Sequence, residues 1–189
     1  FPAPHLQPRR FMATGPLEHA QGFDLLLDAF AQAVPQMRRA ELTIYGDGSE
    51  REALRAQAET LRVASRVQFV PAQGLEAFRQ ALGQTDVVTL PARKAGLPMV
   101  VLEALAARRP MIVSDAGDLS EVVRTYGVGT IVNRGDTDAL ADALWRSYHR
   151  GFSISPQAFV RAEEELSLDT SVERWDTILQ DVLTQRPRG

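Results

Sequence analysis

The 189-residue chain predicts an α/β fold, a doubly wound parallel sheet of about six strands with helices on both faces and two further helices at the C-terminus. Three observations carry the prediction. Six short β-prone runs alternate with segments of helical spacing, the pattern of successive β–α units. The run Val87-Val88-Thr89-Leu90 is mostly apolar on both faces, as a central parallel strand is. Apolar residues make up 44% of the chain, enough for a full core at this length.

Taken in order, residues 1–10 hold Pro2, Pro4 and Pro8 and no periodic pattern, so they read as a linker or domain edge. Residues 11–166 form the predicted domain. Its strands are expected at 10–14, 41–45, 66–70, 86–90, 111–114 and 128–132. Its helices are expected at 22–34, 49–61, 75–82, 98–107, 119–125 and 137–148. The first helix puts Phe23, Leu26, Leu27 and Phe30 on one face, and the second buries Leu54, Ala58 and Leu61 behind a Ser49 cap. Beyond them, 155–166 and 168–183 have helical spacing with no strand between, and Asp169 or Thr170 is placed to cap the latter. The stripe Trp175, Ile178 and Leu179 allows two readings. Both helices cover the sheet edge, or the last one, within 167–189, crosses to an N-terminal domain missing from this chain. Glu163-Glu164-Glu165 reads as a solvated face.

Composition excludes several functions. The net charge of −3 argues against a broad basic surface for nucleic acid. With no cysteine there is no disulfide framework, zinc–cysteine site or thiol nucleophile, and three scattered histidines make no metal site. No stretch approaches the ~20 apolar residues of a membrane span. The opening Phe1-Pro2-Ala3-Pro4 carries no targeting pattern, so the chain reads as a piece of a longer cytoplasmic protein, with peripheral membrane association left open.

A Rossmann-like sheet binds ligands beyond the carboxyl ends of its strands, so the strand-to-helix loops carry the chemistry. In the first, 14–22, Gly15 and Gly22 would let a ligand approach the backbone. In the second, Gly46-Asp47-Gly48 begins a dinucleotide fingerprint that fails at Arg51, leaving a tight turn. The fourth, 90–106, is the richest. A buried strand ends at Leu90, the basic pair Arg93-Lys94 and Gly96 follow, and Pro98 opens a helix where a missing N–H costs nothing. The free amides of Met99 and Val100 form an anion site. Glu103 sits on this otherwise apolar helix. It either accepts two hydrogen bonds from a ribose diol or is a structural carboxylate bonded to backbone amides. The fifth loop, 114–121, can cap a helix and line the same crevice. Arg108-Arg109, at the other end of the sheet, reads as a helix C-terminal charge effect. His5 and His149 read as exposed, and only His19 lies in a site loop.

At the fourth loop the chain resembles the C-terminal, donor-binding domain of GT-B glycosyltransferases of family 4, the "group 1" enzymes. The resemblance runs in order through Gly15-Pro16-Leu17, Gln21-Gly22-Phe23-Asp24, Leu42-Thr43-Ile44-Tyr45-Gly46-Asp47-Gly48, Gly96-Leu97-Pro98-Met99-Val100-Val101-Leu102-Glu103 and Arg109-Pro110-Met111-Ile112-Val113-Ser114-Asp115. It implies retaining transfer of a sugar from a nucleoside diphosphate sugar, of unknown base, to a glycan or lipid-linked acceptor in polysaccharide biosynthesis. No further cofactor and no metal is implied. In such proteins the missing N-terminal domain supplies most of the acceptor site, so the isolated domain is expected to be inactive and no catalytic residue is assigned in this half. The resemblance gives Glu103 the ribose, and Gly15, Gly96, Leu97, Met99 and Val100 the rest of the nucleotide sugar.

The departures from the family pattern are specific. Pro16 stands where the family has Arg, Gln21 where it has Lys, and Ala95 where the first member of an acidic pair falls. The two missing cations would stabilise the leaving diphosphate, and one such donor is worth about 10²–10³ in rate. Arg93 or Lys94 could substitute, or be a solvated loop pair. A catalytically degenerate domain that binds or regulates a partner is therefore the alternative. A sugar-nucleotide epimerase of the same architecture is a third reading, set back by the lack of acid–base side chains.

Overall fold

The computed structural model describes residues 8–170 apart from Ala95, Leu97, Pro98 and Leu168. Six parallel strands form one sheet: β1 Arg10–Thr14, β2 Glu41–Tyr45, β3 Val67–Val70, β4 Val87–Leu90, β5 Met111–Ser114 and β6 Gly129–Val132. Their order is β3-β2-β1-β4-β5-β6. The chain winds outward from β1 to β3, then returns to lay β4 on the other side of β1, so the winding reverses between β1 and β4. Met12 of β1 pairs with Thr43 on one side and Val88 on the other.

The strand period of two divides the core into two layers. Phe11, Ala13, Leu42, Ile44 and Ile112 point to one face, where α1 (Phe23–Ala33), α2 (Arg51–Thr60) and α6 (Thr137–Arg150) cover them. Met12, Val88, Leu90, Met111 and Val113 point to the other, under α3 (Leu75–Gln84), α4 (Met99–Ala106), α5 (Asp118–Tyr126) and α7 (Pro156–Glu165). All four residues of β4 are buried, as its two-sided apolar sequence requires. In α1 the predicted stripe of Phe23, Leu26, Leu27 and Phe30 is buried and packs on α6. Each such side chain contributes about 1.5–3 kcal/mol.

Strands β3, β4 and β6 begin one residue later than their sequence runs. Arg66 closes a 3-10 turn, and Asp86 turns its carboxylate back onto the Arg9 and Arg10 amides. The ordered sheet starts before residue 11, because Pro8 is buried and the Arg9 carbonyl accepts from the Glu41 amide. Residues 1–7 and the predicted last helix beyond Thr170, with Trp175, Ile178 and Leu179, lie outside the described residues. Of the two tail helices, α7 packs on α4 and α5, with Phe159 and Ala162 buried there.

Helix ends correct two expectations. The residue before α2 is Glu50 and no side chain caps it, because the Glu50 amide is drawn back to the Leu17 carbonyl and leaves Ser49 outside the helix. After α7, the Ser167 Oγ accepts from the Thr170 amide, and the helix that Asp169 or Thr170 was expected to cap lies outside the described residues. The second correction concerns Arg108-Arg109. Arg108 takes the left-handed conformation (φ 53°), and the Arg109 amide donates to the Ala104 carbonyl, which closes α4 in a Schellman turn. That turn drives Arg109 inward. It is fully buried, donates to the Gly83 carbonyl and lies in the field of Asp86, so it is a core residue and not a surface charge at a helix end. Within the triple-glutamate run, Glu163 and Glu164 are exposed as expected, while Glu165 accepts from the Tyr126 hydroxyl.

Candidate nucleotide-sugar site

The reversal between β1 and β4 opens a cleft of about 390 Å3 beyond their carboxyl ends. One wall is the first loop, with Thr14, Gly15, Pro16 and Gln21; the other is the loop from β4 to α4, with Ala92, Lys94 and Gly96. Val100, in the first turn of α4, and Leu119 of α5 close it. Helix α4 starts at Met99, whose side chain is exposed.

The walls are held by backbone contacts. Gly15 donates to the Tyr45 carbonyl, and Leu17 to that of Asp47. Gly22 is left-handed (φ 69°), and a Cβ there would lie 2.2 Å from the Pro91 carbonyl oxygen. Its bareness therefore serves the docking of the β4–α4 loop, and the expected approach of a ligand at Gly22 is replaced by approach of the chain itself. The same holds at Gly46, where a Cβ would meet the Gly15 carbonyl oxygen at 2.0 Å. The Gly46-Asp47-Gly48 segment is thus a close packing of two loops rather than a free-standing tight turn. Arg51 straps it by donating to the Gly46 carbonyl and the Asp47 carboxylate.

The basic pair divides. Arg93 makes a two-pronged ion pair with Asp24 in the first turn of α1, both bonds 2.6 Å, and donates to the His19 carbonyl at 2.8 Å. Burial pushes the Asp24 carboxyl up, but the hydrogen bonds and charge of Arg93, together with the Leu25 and Asp24 amides, hold the group below its usual range. Arg93 therefore fastens the β4–α4 loop to α1, assisted by its own amide on the Ala20 carbonyl. Lys94 is the member of the pair that lines the cleft, together with the family-departing Pro16 and Gln21. Ser114, at the end of β5, donates to the Ala92 carbonyl and fixes the same loop from the other side. Sequence reasoning had no role for Asp24 or Ser114. The signal was a carboxylate in a first turn and a hydroxyl at a strand's carboxyl end.

Glu103 lies on α4 and is half-buried. Burial pushes its carboxyl up, and Arg79 on α3 partly offsets that. Among the described residues no hydrogen bond or ion pair engages this carboxylate, so the backbone amides of the structural reading are not there to hold it. Of the other predicted site residues, Gly15, Gly96 and Val100 line the cleft, and Leu97 and Ala95 lie outside the described residues. His19 is exposed, its Nδ1 3.9 Å from Glu50. His149 is exposed and paired with the Gln36 carbonyl. Among the described residues no helix is long and apolar enough to cross a membrane.

The comparisons agree with this geometry. The family model of glycosyl transferases group 1 matches residues 8–150. An N-acetyl-α-D-glucosaminyl L-malate synthase from Bacillus anthracis is 28% identical over 167 residues, which are 87% of this chain and 43% of that protein. The apo lipopolysaccharide outer core galactosyltransferase WaaB superposes with a TM-score of 0.81 at 21% identity, covering 95% of this chain and 51% of that one. Anabaena Alr3699/HepE in complex with UDP gives 0.79 at 21%, over 93% and 49%. The chain thus spans about half the length, or less, of the proteins it resembles. With the family matched over most of the chain and the sheet order and cleft in place, it belongs to the group 1 glycosyl transferases, as a C-terminal domain of the family 4 GT-B type.

Proposed function

We propose that this domain binds the nucleoside diphosphate sugar of a retaining glycosyltransferase whose acceptor is a glycan or lipid-linked sugar. In the reaction, the bond from the anomeric carbon to the diphosphate oxygen breaks and one to the acceptor oxygen forms. The acceptor proton is lost and the nucleoside diphosphate leaves. The observation that carries the reading is the pairing of the switch-point cleft with a half-buried, unbonded Glu103 carboxylate on the helix that opens at it. A carboxylate partly withdrawn from water, with no protein donor, is stabilised by a ligand that brings donors, and a ribose diol brings two. Gly15, Gly96, the amides of Leu97, Met99 and Val100, and Lys94 would then face the diphosphate and sugar. The N-terminal half of the full protein would complete the acceptor site. The protein would work in the cytoplasm, at the membrane surface when the acceptor is a lipid, with no cofactor besides the donor.

The test is titration of uridine, guanosine and adenosine diphosphates against wild type and Glu103→Gln. One of the three should raise the melting temperature, as a native-state ligand does. Glu103→Gln should weaken its binding by about 1–3 kcal/mol. Because burial disfavours the Glu103 charge, the unliganded variant should melt no lower than wild type. A lower melting temperature with unchanged affinity would return Glu103 to a structural role. The domain alone should transfer no sugar, since the reacting centre of a two-domain enzyme is completed by positioning between domains. Failure of all three nucleotides to bind would favour the degenerate, partner-binding alternative.

A further inference from the structure

Opposite the cleft, at the amino ends of β1, β2 and β3, lies a groove of about 460 Å3 lined by Arg9, Arg10, Arg38, Arg39, Arg66 and Glu41. Five guanidiniums around one groove are unexpected in a chain of net charge −3. Glu41 is the one carboxylate in that lining, so the charge is only partly offset. Arg10 is paired with the buried Asp86, at 2.9 Å, but that same carboxylate also serves the buried Arg109. Among the described residues no ion pair engages Arg9, Arg38, Arg39 or Arg66.

The groove is also prearranged. Arg66 donates to the Ala40 carbonyl at 3.0 Å and the Arg38 carbonyl at 2.7 Å, which fixes its guanidinium without cancelling its charge. The loop that carries Arg38 and Arg39 is pinned from α6: the Arg39 amide donates to the Tyr148 hydroxyl, the Trp145 indole donates to the Gln36 side chain, and His149 bonds the Gln36 carbonyl. Holding like charges together in this way costs repulsion that an anion would relieve. Guanidiniums match oxyanions through two-pronged hydrogen bonds, and a phosphoryl group offers three oxygens and close to two charges where a carboxylate offers two oxygens and one.

We propose that this groove is a second anion site, for a phosphoryl group, at the end of the sheet away from the nucleotide cleft. It does not depend on the function proposed above. The group comes either from a free phosphorylated compound or from a lipid headgroup, and the experiment separates the two. Inorganic phosphate is titrated calorimetrically at constant ionic strength, with chloride as the balancing anion. Wild type should show a saturable site that is weakened at least tenfold in the double variant Arg38→Gln with Arg39→Gln, whose exposed side chains should leave the melting temperature unchanged. Phosphate held in the nucleotide cleft is a separate site, which the double variant should leave as it was. In parallel, the protein is sedimented with vesicles of four parts phosphatidylcholine to one part phosphatidic acid. Sedimentation that the double variant loses and inorganic phosphate competes away assigns a headgroup. Saturable phosphate binding without sedimentation assigns a free phosphorylated ligand. Phosphate binding that is identical in wild type and the double variant, or that merely tracks ionic strength, overturns the proposal.

Discussion

The two ends of this sheet solve the same problem with different materials. At the carboxyl end, loops pack backbone on backbone, with Gly22 against Pro91 and Gly46 against Gly15. At the amino end, arginine side chains gather the loops, as when Arg66 reaches the carbonyls of residues 38 and 40. Each end also has one two-pronged aspartate–arginine pair. Asp24–Arg93 is about a quarter to a third exposed, whereas the Asp86 carboxylate of the other pair has no exposure at all. Glycine lets the backbones of the cleft loops touch, whereas around the amino ends of β1, β2 and β3 long charged side chains span the gaps between loops.

The largest effect should come from filling the cleft end. Gly22→Ala combines a left-handed backbone with a Cβ 2.2 Å from a carbonyl oxygen. It should cost about 2–5 kcal/mol, summing left-handed strain and overpacking, with a cooperative loss of melting temperature in calorimetry. An unchanged melting temperature would mean that the β4–α4 loop can leave α1 freely.

Next is the buried pair. Asp86→Asn should cost about 2–3 kcal/mol in denaturant unfolding at neutral pH, because Arg109 is left in the core beside a neutral amide. Asp24→Asn should cost clearly less, since solvent screens that pair. The pH dependence has a definite sign. Burial pushes the Asp86 carboxyl up, but hydrogen bonds from the Arg10 side chain and the Arg9 and Arg10 amides hold it below its usual range. A depressed folded value means that the stabilisation is complete above the ordinary carboxylate range and lost as pH falls through the folded value. Acid titration of Asp86→Asn should be flatter than that of wild type over that window.

A smaller effect tests whether the cleft is short of charge. Pro16 and Gln21 both line it. Pro16→Arg with Gln21→Lys should raise nucleoside diphosphate affinity at least tenfold, about 1.4 kcal/mol, over the bare nucleoside. If wild type already binds the diphosphate far better than the nucleoside, Lys94 or a residue of the proposed N-terminal half has taken that role. The smallest effect sits at the far end. Arg108→Gly should stabilise the domain by about 0.5 kcal/mol, because relief of left-handed strain slightly exceeds the added entropy of the unfolded chain.

How far the sequence could be read is clearest at α4. Its apolar face and the isolated Glu103 were legible, because periodicity and a lone carboxylate on an apolar helix are local signals. The sense of the neighbouring residues was not. Arg93 read as either a substitute phosphate cation or a solvated loop charge, and it lies on Asp24, a residue 69 positions away in the chain. Arg109 read as a helix C-terminal charge effect and is fully buried.

The sequence by itself determined the six alternating units, the two-faced burial of β4 and the family, because strand and helix periods and ordered motifs are properties of neighbouring residues. Only the tertiary structure decided what the glycines and arginines do. Gly22 and Gly46 are bare where other loops press on them, and Arg93 fastens the β4–α4 loop to Asp24. The physical reason is that a charge or a missing Cβ has no meaning until its neighbour in space is known, and parallel β–α winding brings those neighbours from distant positions in the chain.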